Sequence, residues 1–421
     1  MHSYRMTPLK GPVHAAVRMP GSKSYTNRAL ILAALTKGPV TLKNPLYCDD
    51  TNAMIGALRT LGLTIETEPD RIVVHDDIRS IKEKNHEISV HDSGTAARFL
   101  LALLCIVPGT KCIQGSRRLN ERPIRGLVDA LRNLGAAIEF CGQEGQFPLK
   151  ISTSVLSGSA VELDSAYSSQ FCSALLMISP YLSQDFTLRL KGPVPSKPYV
   201  AMTLDCMEQW GVRAAAKEKG EYFIPNQQTY RMQEYLVEGD FSSAGYFFAL
   251  AALTKSTLTV ENLNPLSVQA DRRFFKHLEK MGNVVNYEKN AIRIEGKQVV
   301  AMDLDMEDCP DKALTMAVLA AFAPGVTRIT GVRTLRVKET ERVAALKNEL
   351  KKMGIRTEDT HDTLTLYGGS PRGAEIDTYN DHRMAMAFAV AGLHLPGMII
   401  RNPEVVNKTF PAFWETLRSL L

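Results

Sequence analysis

Pro20-Gly21-Ser22-Lys23-Ser24-Tyr25-Thr26-Asn27-Arg28, running on into the apolar stretch from Ala29 to Leu35, decides how this chain is read. The turn pair Pro20-Gly21 hands over to small polar residues, then to an unbroken helical run. Ser22 or Ser24 is expected to cap that helix by accepting a hydrogen bond from an early N–H. A helix start presents N–H groups without intrahelical partners and the positive end of its dipole. Lys23 and Arg28 add full positive charges there. The combination suits a phosphate or a carboxylate. Taken alone, the stretch reads equally well as a capped helix with two solvated cations. It is not a Walker loop, which needs Gly-Lys-Ser/Thr contiguous, because Ser22 separates Gly21 from Lys23.

The pattern returns along the chain. A small or polar helix start followed by an apolar run appears six times, near Gly21, Asp92, Ser168, Asp240, Pro310 and Asn380. A period of roughly 70 residues marks a chain built from repeated supersecondary units. Each copy leads into a β-rich segment, the six being Val40 to Asn44, Thr110 to Gly115, Phe186 to Gly192, Ser256 to Asn262, Val326 to Gly331 and Gly397 to Asn402. Five copies carry a second helix that stops on glycine, at Gly62, Gly135, Gly211, Gly282 and Gly354. Glycine after the last apolar position is a helix stop. Alternating stretches such as Arg71-Ile72-Val73-Val74 then read as strands.

The sixth copy ends in a helix, Ala412 to Leu421, without closing strands. Met6 to Met19 reads as one or two strands, and the simplest closure has them complete the sixth copy. The chain then divides into two lobes of three repeats. One lobe is residues 20–235. The other is discontinuous, residues 1–19 with 236–421. The crossings near 19–21 and 234–239 are expected to act as hinges.

With 421 residues and 45% hydrophobic content the chain can bury sizeable cores. A net charge of +5 is mild and the basic residues are not gathered into a tail, which argues against nucleic acid and for small anionic substrates met by local cationic sites. Seven scattered cysteines with no C-x-x-C pair argue for reduced thiols in the cytoplasm rather than a disulfide framework or a zinc site. No secretory signal is expected from the first residues, and apolar runs such as Phe99 to Val107 are too short to span a membrane. No His, Asp and Glu spacing suggests a metal.

Further candidates follow the repeats. Asp92-Ser93-Gly94-Thr95-Ala96-Ala97-Arg98 opens the second helix, where Gly94 allows close approach of a ligand to backbone. In Glu121-Arg122-Pro123-Ile124, Pro123 is expected at a helix start with Arg122 at its mouth. The third copy offers Ser168-Ser169-Gln170 and Ser196-Lys197-Pro198-Tyr199, which suit a phosphate or polyol but also ordinary caps. Asp311 precedes the fifth helix, and Lys338 and Arg342 are i,i+4 neighbours with Glu339 between them. Tyr379-Asn380-Asp381-His382-Arg383-Met384-Ala385-Met386 opens the sixth helix, and Asn407-Lys408-Thr409 closes the series.

In order and spacing these motifs resemble the 5-enolpyruvylshikimate-3-phosphate (EPSP) synthase family over nearly the whole chain. The resemblance is carried by Pro20 to Ser24 with Asn27 to Leu30, Ser93 to Ala96 with Arg98, Glu121 to Ile124, Arg336 to Thr340 with Arg342, and Tyr379 to Met386. It implies an α/β fold, the two-lobed inverse α/β barrel of six βαβαββ-type units in two groups of three. It also implies carboxyvinyl transfer from phosphoenolpyruvate to the 5-hydroxyl of shikimate 3-phosphate with release of phosphate, in the pathway to chorismate and aromatic amino acids. No cofactor or metal is implied, and the chain is expected to work as a cytoplasmic monomer and as a glyphosate target.

Carried over by motif, the phosphoenolpyruvate side is Lys23, Gly94, Arg122, Gln170, Arg342, Arg383 and Lys408. The shikimate 3-phosphate side is Ser24, Arg28, Ser168, Ser169, Gln170, Ser196, Tyr199, Asp311 and Lys338. Asp311 is the candidate base for the 5-hydroxyl, with Lys23 and Glu339 candidates for proton transfer at the methylene carbon. Since these residues are split between the lobes, substrate binding is expected to drive closure. Asp92 stands where the family often has Asn, and Thr334 where an Asn is common. The sister family, UDP-N-acetylglucosamine enolpyruvyl transferase, is the alternative, but its loop cysteine would fall near Arg117 to Asn120, where this chain has none. A non-catalytic binder of phosphorylated metabolites is the alternative from a different class.

Overall fold

The computed structural model of the chain describes residues 2–164, 168–192, 197–217 and 220–421. Contacts divide the chain into two compact units, Gly21–Val237 and a discontinuous one of Met1–Pro20 with Glu238–Leu421. Each has its own apolar core.

Within Gly21–Val237 three four-stranded sheets share one plan. Two parallel strands lie side by side, an antiparallel hairpin extends the sheet, and in the second and third repeats a buried helix joins the parallel pair. In the second repeat His86–Ser89 pairs parallel with Lys111–Gln114, and the helix Gly94–Leu104 connects them. The strands Leu149–Ile151 and Ile138–Phe140 then follow antiparallel. The third repeat pairs Ala160–Asp164 with Phe186–Lys191 across the helix Ser169–Ile178. Parallel strands need such a crossover, which accounts for the helical run after each helix start.

The unit Met1–Pro20 with Glu238–Leu421 repeats the plan with two four-stranded sheets and one of three strands. Its N-terminal strands are shared differently from the expectation. Ser3–Arg5 pairs antiparallel with Ile399–Arg401 and so closes the sixth repeat. His14–Arg18 instead pairs parallel with Thr257–Glu261 of the fourth. In mirror fashion Glu234–Leu236 pairs parallel with Val40–Lys43 of the first repeat. The reason is connectivity. The strand before each crossing stays in the unit it leaves, and it fills the parallel position of the repeat whose own preceding strand lies in the other unit.

The helices opening the repeats are Lys23–Leu35, Gly94–Leu104, Ser169–Ile178, Phe241–Thr254, Ala313–Ala320 and His382–Gly392. They are apolar nearly all round and buried, as central helices must be. The second helices stop at Gly62, Gly135, Gly211, Gly282 and Gly354, with φ of 108, 100, 91, 94 and 83°. A side chain at those left-handed positions would be strained. The final helix is only Phe413–Arg418.

Three local expectations are corrected. Ser22 occupies the N-cap of Lys23–Leu35 but makes no side-chain capping bond; its carbonyl accepts from the Thr26 amide and hydroxyl at 2.8 Å each. Pro123 does not start a helix. The short helix Arg117–Asn120 ends just before it and the next, Arg125–Asn133, begins after it, while the Pro123 carbonyl accepts from Arg98 at 3.2 Å. Lys338 and Arg342 do not share a helical face, because a 3₁₀ turn covers Arg333–Val337 and the α-helix starts at Arg342 itself.

Candidate active site

In Gly21–Val237 the starts of three buried helices stand level and side by side. Gln170, in the first turn of its helix, donates to the hydroxyl of Thr95, in the first turn of another, at 3.2 Å. One turn deeper, Arg28 lies 5.3 Å from the Phe99 ring centre and 3.3 Å from the Ser173 hydroxyl. Three aligned dipoles therefore present their positive ends on one face.

Cations ring that face. Lys23 is held at 2.9 Å by Asp50, which is itself buried. Ser93 caps Gly94–Leu104 through the Ala96 amide and donates to the Asp50 carbonyl. Arg122 packs against Gly94, where a Cβ would come within 2.7 Å of its Nη1 atom. Ser168 caps Ser169–Ile178 through the Gln170 amide. Asp92 accepts a hydrogen bond from Ser116. Lys23, Gly94, Arg122 and Gln170 thus form one neighbourhood, and Ser24, Arg28, Ser169 and Tyr199 a second beside it. Ser196 lies outside the described residues.

Arg28 is anchored more than exposed. It donates to the Thr203 hydroxyl at 2.8 Å, the Ser24 carbonyl at 3.0 Å, the Tyr199 carbonyl at 3.0 Å and Ser173. Burial pulls its pKa down from the usual guanidinium value, yet arginine remains charged. Arg28→Ala should therefore do more than weaken one ligand. Leaving these acceptors buried without their donor is expected to lower the stability of the unit by on the order of 3 kcal/mol. Denaturant unfolding followed by tryptophan fluorescence checks this, since Trp210 is buried in the same unit.

The other unit builds a denser ionic cluster at its helix starts. Asp311 sits in the turn Pro310–Lys312. It is met by Arg383 at 2.9 Å, Arg342 at 3.0 Å and Lys338 at 3.5 Å. Burial would raise its carboxyl, but Arg383, Lys338 and Arg342 together overrule burial and hold it well below the usual carboxylate range. Arg342, fully buried, also pairs with Glu339 at 2.8 Å and with Asp381 at 2.7 Å. Asp381 caps His382–Gly392 through the Arg383 amide. Lys408 ends the 3₁₀ helix Pro403–Lys408 and is buried. The Thr334 hydroxyl is buried without a hydrogen-bond partner.

The sequence reading missed Asp50 and Asp381, the acids that hold Lys23 and Arg342. Each lies at a helix start, beside Asp49 and His382 respectively, where an acid is favourable to the dipole in any case; the signal was there and unspecific. Among the described residues no helix is long and apolar enough to cross a membrane.

Six copies of one α/β unit in two groups of three, each group gathering cations at its helix starts, define a protein of the two-domain inverse α/β barrel class. Comparison with known proteins agrees. Residues 9–417 match the family described as EPSP synthase (3-phosphoshikimate 1-carboxyvinyltransferase). The chain is 40% identical over 425 residues to a 3-phosphoshikimate 1-carboxyvinyltransferase of Photobacterium profundum, covering 100% of this chain and 99% of that protein. It is also 40% identical over 416 residues to the one from Syntrophobacter fumaroxidans, covering 98% of each. A solved EPSP synthase from Acinetobacter baumannii superposes with a TM-score of 0.82 at 24% identity, covering 99% of this chain and 97% of that one. The chain belongs to the EPSP synthase family.

Proposed function

We infer that the chain transfers the enolpyruvyl group of phosphoenolpyruvate to the 5-hydroxyl of shikimate 3-phosphate and releases phosphate. Family membership over residues 9–417 is the observation that carries this reading. The chemistry fits the residues. The two substrates bring two phosphates and two carboxylates, and planar guanidinium groups pair bidentately with both. In this reading Lys23, Gly94, Arg122, Gln170, Arg342, Arg383 and Lys408 serve phosphoenolpyruvate. Ser24, Arg28, Ser168, Ser169, Gln170, Ser196, Tyr199, Asp311 and Lys338 serve shikimate 3-phosphate.

Asp311 takes the 5-hydroxyl proton as that oxygen attacks C2 of phosphoenolpyruvate. The methylene carbon gains a proton, and the tetrahedral intermediate then loses a proton and phosphate. A carboxylate held by three cations is a weak base. Anionic substrate draws Arg342 and Arg383 towards itself, and Asp311 gains basicity as those pairs loosen. Lys23 and Glu339 move the proton at the methylene carbon. The chain does this as a cytoplasmic monomer. Phosphate release on mixing both substrates, with none from either alone, tests the reading. Absence of release would leave a binder, and transfer to UDP-N-acetylglucosamine instead would place the chain in the sister activity.

Gly94→Ala carries a separate expectation. The added methyl meets Arg122 Nη1 at 2.7 Å and Arg98 Nη1 at 3.1 Å, so the guanidinium groups must move. A displaced charge-assisted hydrogen bond weakens binding by roughly tenfold or more. The KM for phosphoenolpyruvate should rise by that factor while the KM for shikimate 3-phosphate holds.

A further inference from the structure

The unit that carries Asp311 buries a second cation close by. Lys312 has no exposed surface, although it adjoins Asp311 in the chain. Its ammonium lies 3.8 Å from the centre of the Tyr246 ring and donates to the Ser242 carbonyl. Room for it depends on Gly245, where a Cβ would come within 2.9 Å of both its Cδ and its Nζ. Asp271, also buried, is the main opposing charge; it accepts from the Ser242 hydroxyl and leaves Oδ1 without a hydrogen-bond partner. The Tyr246 hydroxyl is buried without a hydrogen-bond partner, and Arg383 is the charge that acts on it most strongly. A buried ammonium is costly to keep, and the transfer chemistry described above does not use it.

We propose that Lys312 is a positioning residue for phosphoenolpyruvate binding: seated on Tyr246, it fixes the ring whose hydroxyl faces Arg383 and adds positive charge beside Arg383. The proposal rests on the reading of Arg383 as a phosphoenolpyruvate ligand. An anion held by Arg383 feels both the geometry of that guanidinium and the field of the ammonium beside it, in surroundings where water screens little.

The groups facing the ammonium are Asp271 from the turn Ala270–Arg272, Asp240 at the cap of the fourth-repeat helix and Tyr246 on it, Cys309 and Asp311 on its own loop, and Arg383 from the sixth-repeat helix. Burial is the strongest influence and, with Arg383, brings Lys312 down to about 8, against the pull of Asp271, Asp240 and Asp311. Lys312 is then charged at neutral pH and loses its charge in mildly alkaline solution. The added positive field is lost in the same interval.

Steady-state kinetics of Lys312→Met, Asp271→Asn and Arg383→Ala, with each substrate varied from roughly pH 6.5 to 9.5, test this. Lys312→Met is expected to raise the KM for phosphoenolpyruvate about three- to thirty-fold at neutral pH. Turnover and the KM for shikimate 3-phosphate should stay within about threefold. In the unmodified chain the KM for phosphoenolpyruvate should climb above about pH 8, and Lys312→Met should lack that rise. Asp271→Asn removes the carboxylate that supports the ammonium, so the same rise should begin at lower pH. Lys312→Met leaves the buried Asp271 carboxylate without its main opposing charge and should melt below the unmodified chain, so its kinetics are read well below its melting transition.

An unchanged KM with the alkaline rise retained in Lys312→Met overturns the proposal, as does an equal loss in both KM values and turnover. Should Lys312→Met fail to fold, an unmoved rise in Asp271→Asn overturns it independently. If Arg383→Ala raises the KM for phosphoenolpyruvate and Lys312→Met does not, the proposal alone falls. If Arg383→Ala leaves that KM unchanged, the reading of Arg383 falls and the proposal with it.

Discussion

Asp311→Asn is expected to release phosphate from the paired substrates about 10²–10⁴-fold more slowly than the unmodified chain, the contribution of a positioned general base. The amide keeps the shape of the carboxylate but cannot accept the 5-hydroxyl proton. The KM for shikimate 3-phosphate should change far less than turnover, since one hydrogen bond to a substrate hydroxyl is lost while the phosphate and carboxylate contacts remain. The expectation is demanding because Asp311 begins as a poor base: Arg383, Lys338 and Arg342 hold its carboxyl well below the usual range against the effect of burial. Substrate anions must compete for those cations before Asp311 can act. Single-turnover phosphate release, compared with equilibrium binding of shikimate 3-phosphate, separates the two effects. Turnover within a few-fold of the unmodified chain would make Asp311 an anchor for Arg342 and Arg383 and nothing more.

Arg342→Met has the second large effect, and it falls on stability as well as activity. Arg342 is fully buried and joins Asp311, Glu339 and Asp381 through bonds of 3.0, 2.8 and 2.7 Å. Removing one partner from a buried ionic cluster leaves uncompensated charge and costs about 3–5 kcal/mol. For a unit of this size that lowers the melting temperature by roughly 6–20 °C. The loss should be greatest at neutral pH and should shrink towards acid pH. Asp311 has a depressed folded-state pKa, so its stabilising contribution is complete above the unfolded-state value of about 3.9 and is lost as pH falls through the folded value. Without Arg342 the folded value rises and that contribution shrinks. Calorimetry of both proteins at neutral and mildly acid pH measures the difference. A melting temperature within about 2 °C of the unmodified chain would mean the three acids are satisfied without Arg342.

Much of the architecture was legible in the chain, because it rests on local rules repeated six times. A polar residue at a helix start, an apolar run and a glycine stop act within a few residues. Gly62 and Gly354 mark helix ends in the sequence and adopt positive φ in the structure for the same steric reason. Candidate anion ligands such as Lys23, Arg122 and Arg383 were visible because cations at helix starts stand out against an apolar background.

Tertiary structure alone decided which groups meet. The sequence places Lys338 and Arg342 at helical spacing, yet residues 338–341 are not helical and the two converge on Asp311, 27 and 31 residues away in the chain. Asp50 and Asp381 are unremarkable first-turn acids until folding sets them on Lys23 and Arg342. His14–Arg18 could not be assigned to the fourth repeat from its pattern, because strand pairing across more than two hundred residues depends on which edge the crossing leaves open. Lys312 is the sharpest case. As a charged residue it reads as solvent-facing, and only packing against Gly245, Tyr246 and Ser242 shows it to be buried. Local propensity and periodicity are properties of neighbouring residues. Burial of a charge and the identity of its partners depend on groups distant in sequence, and appear only when the chain has closed on itself.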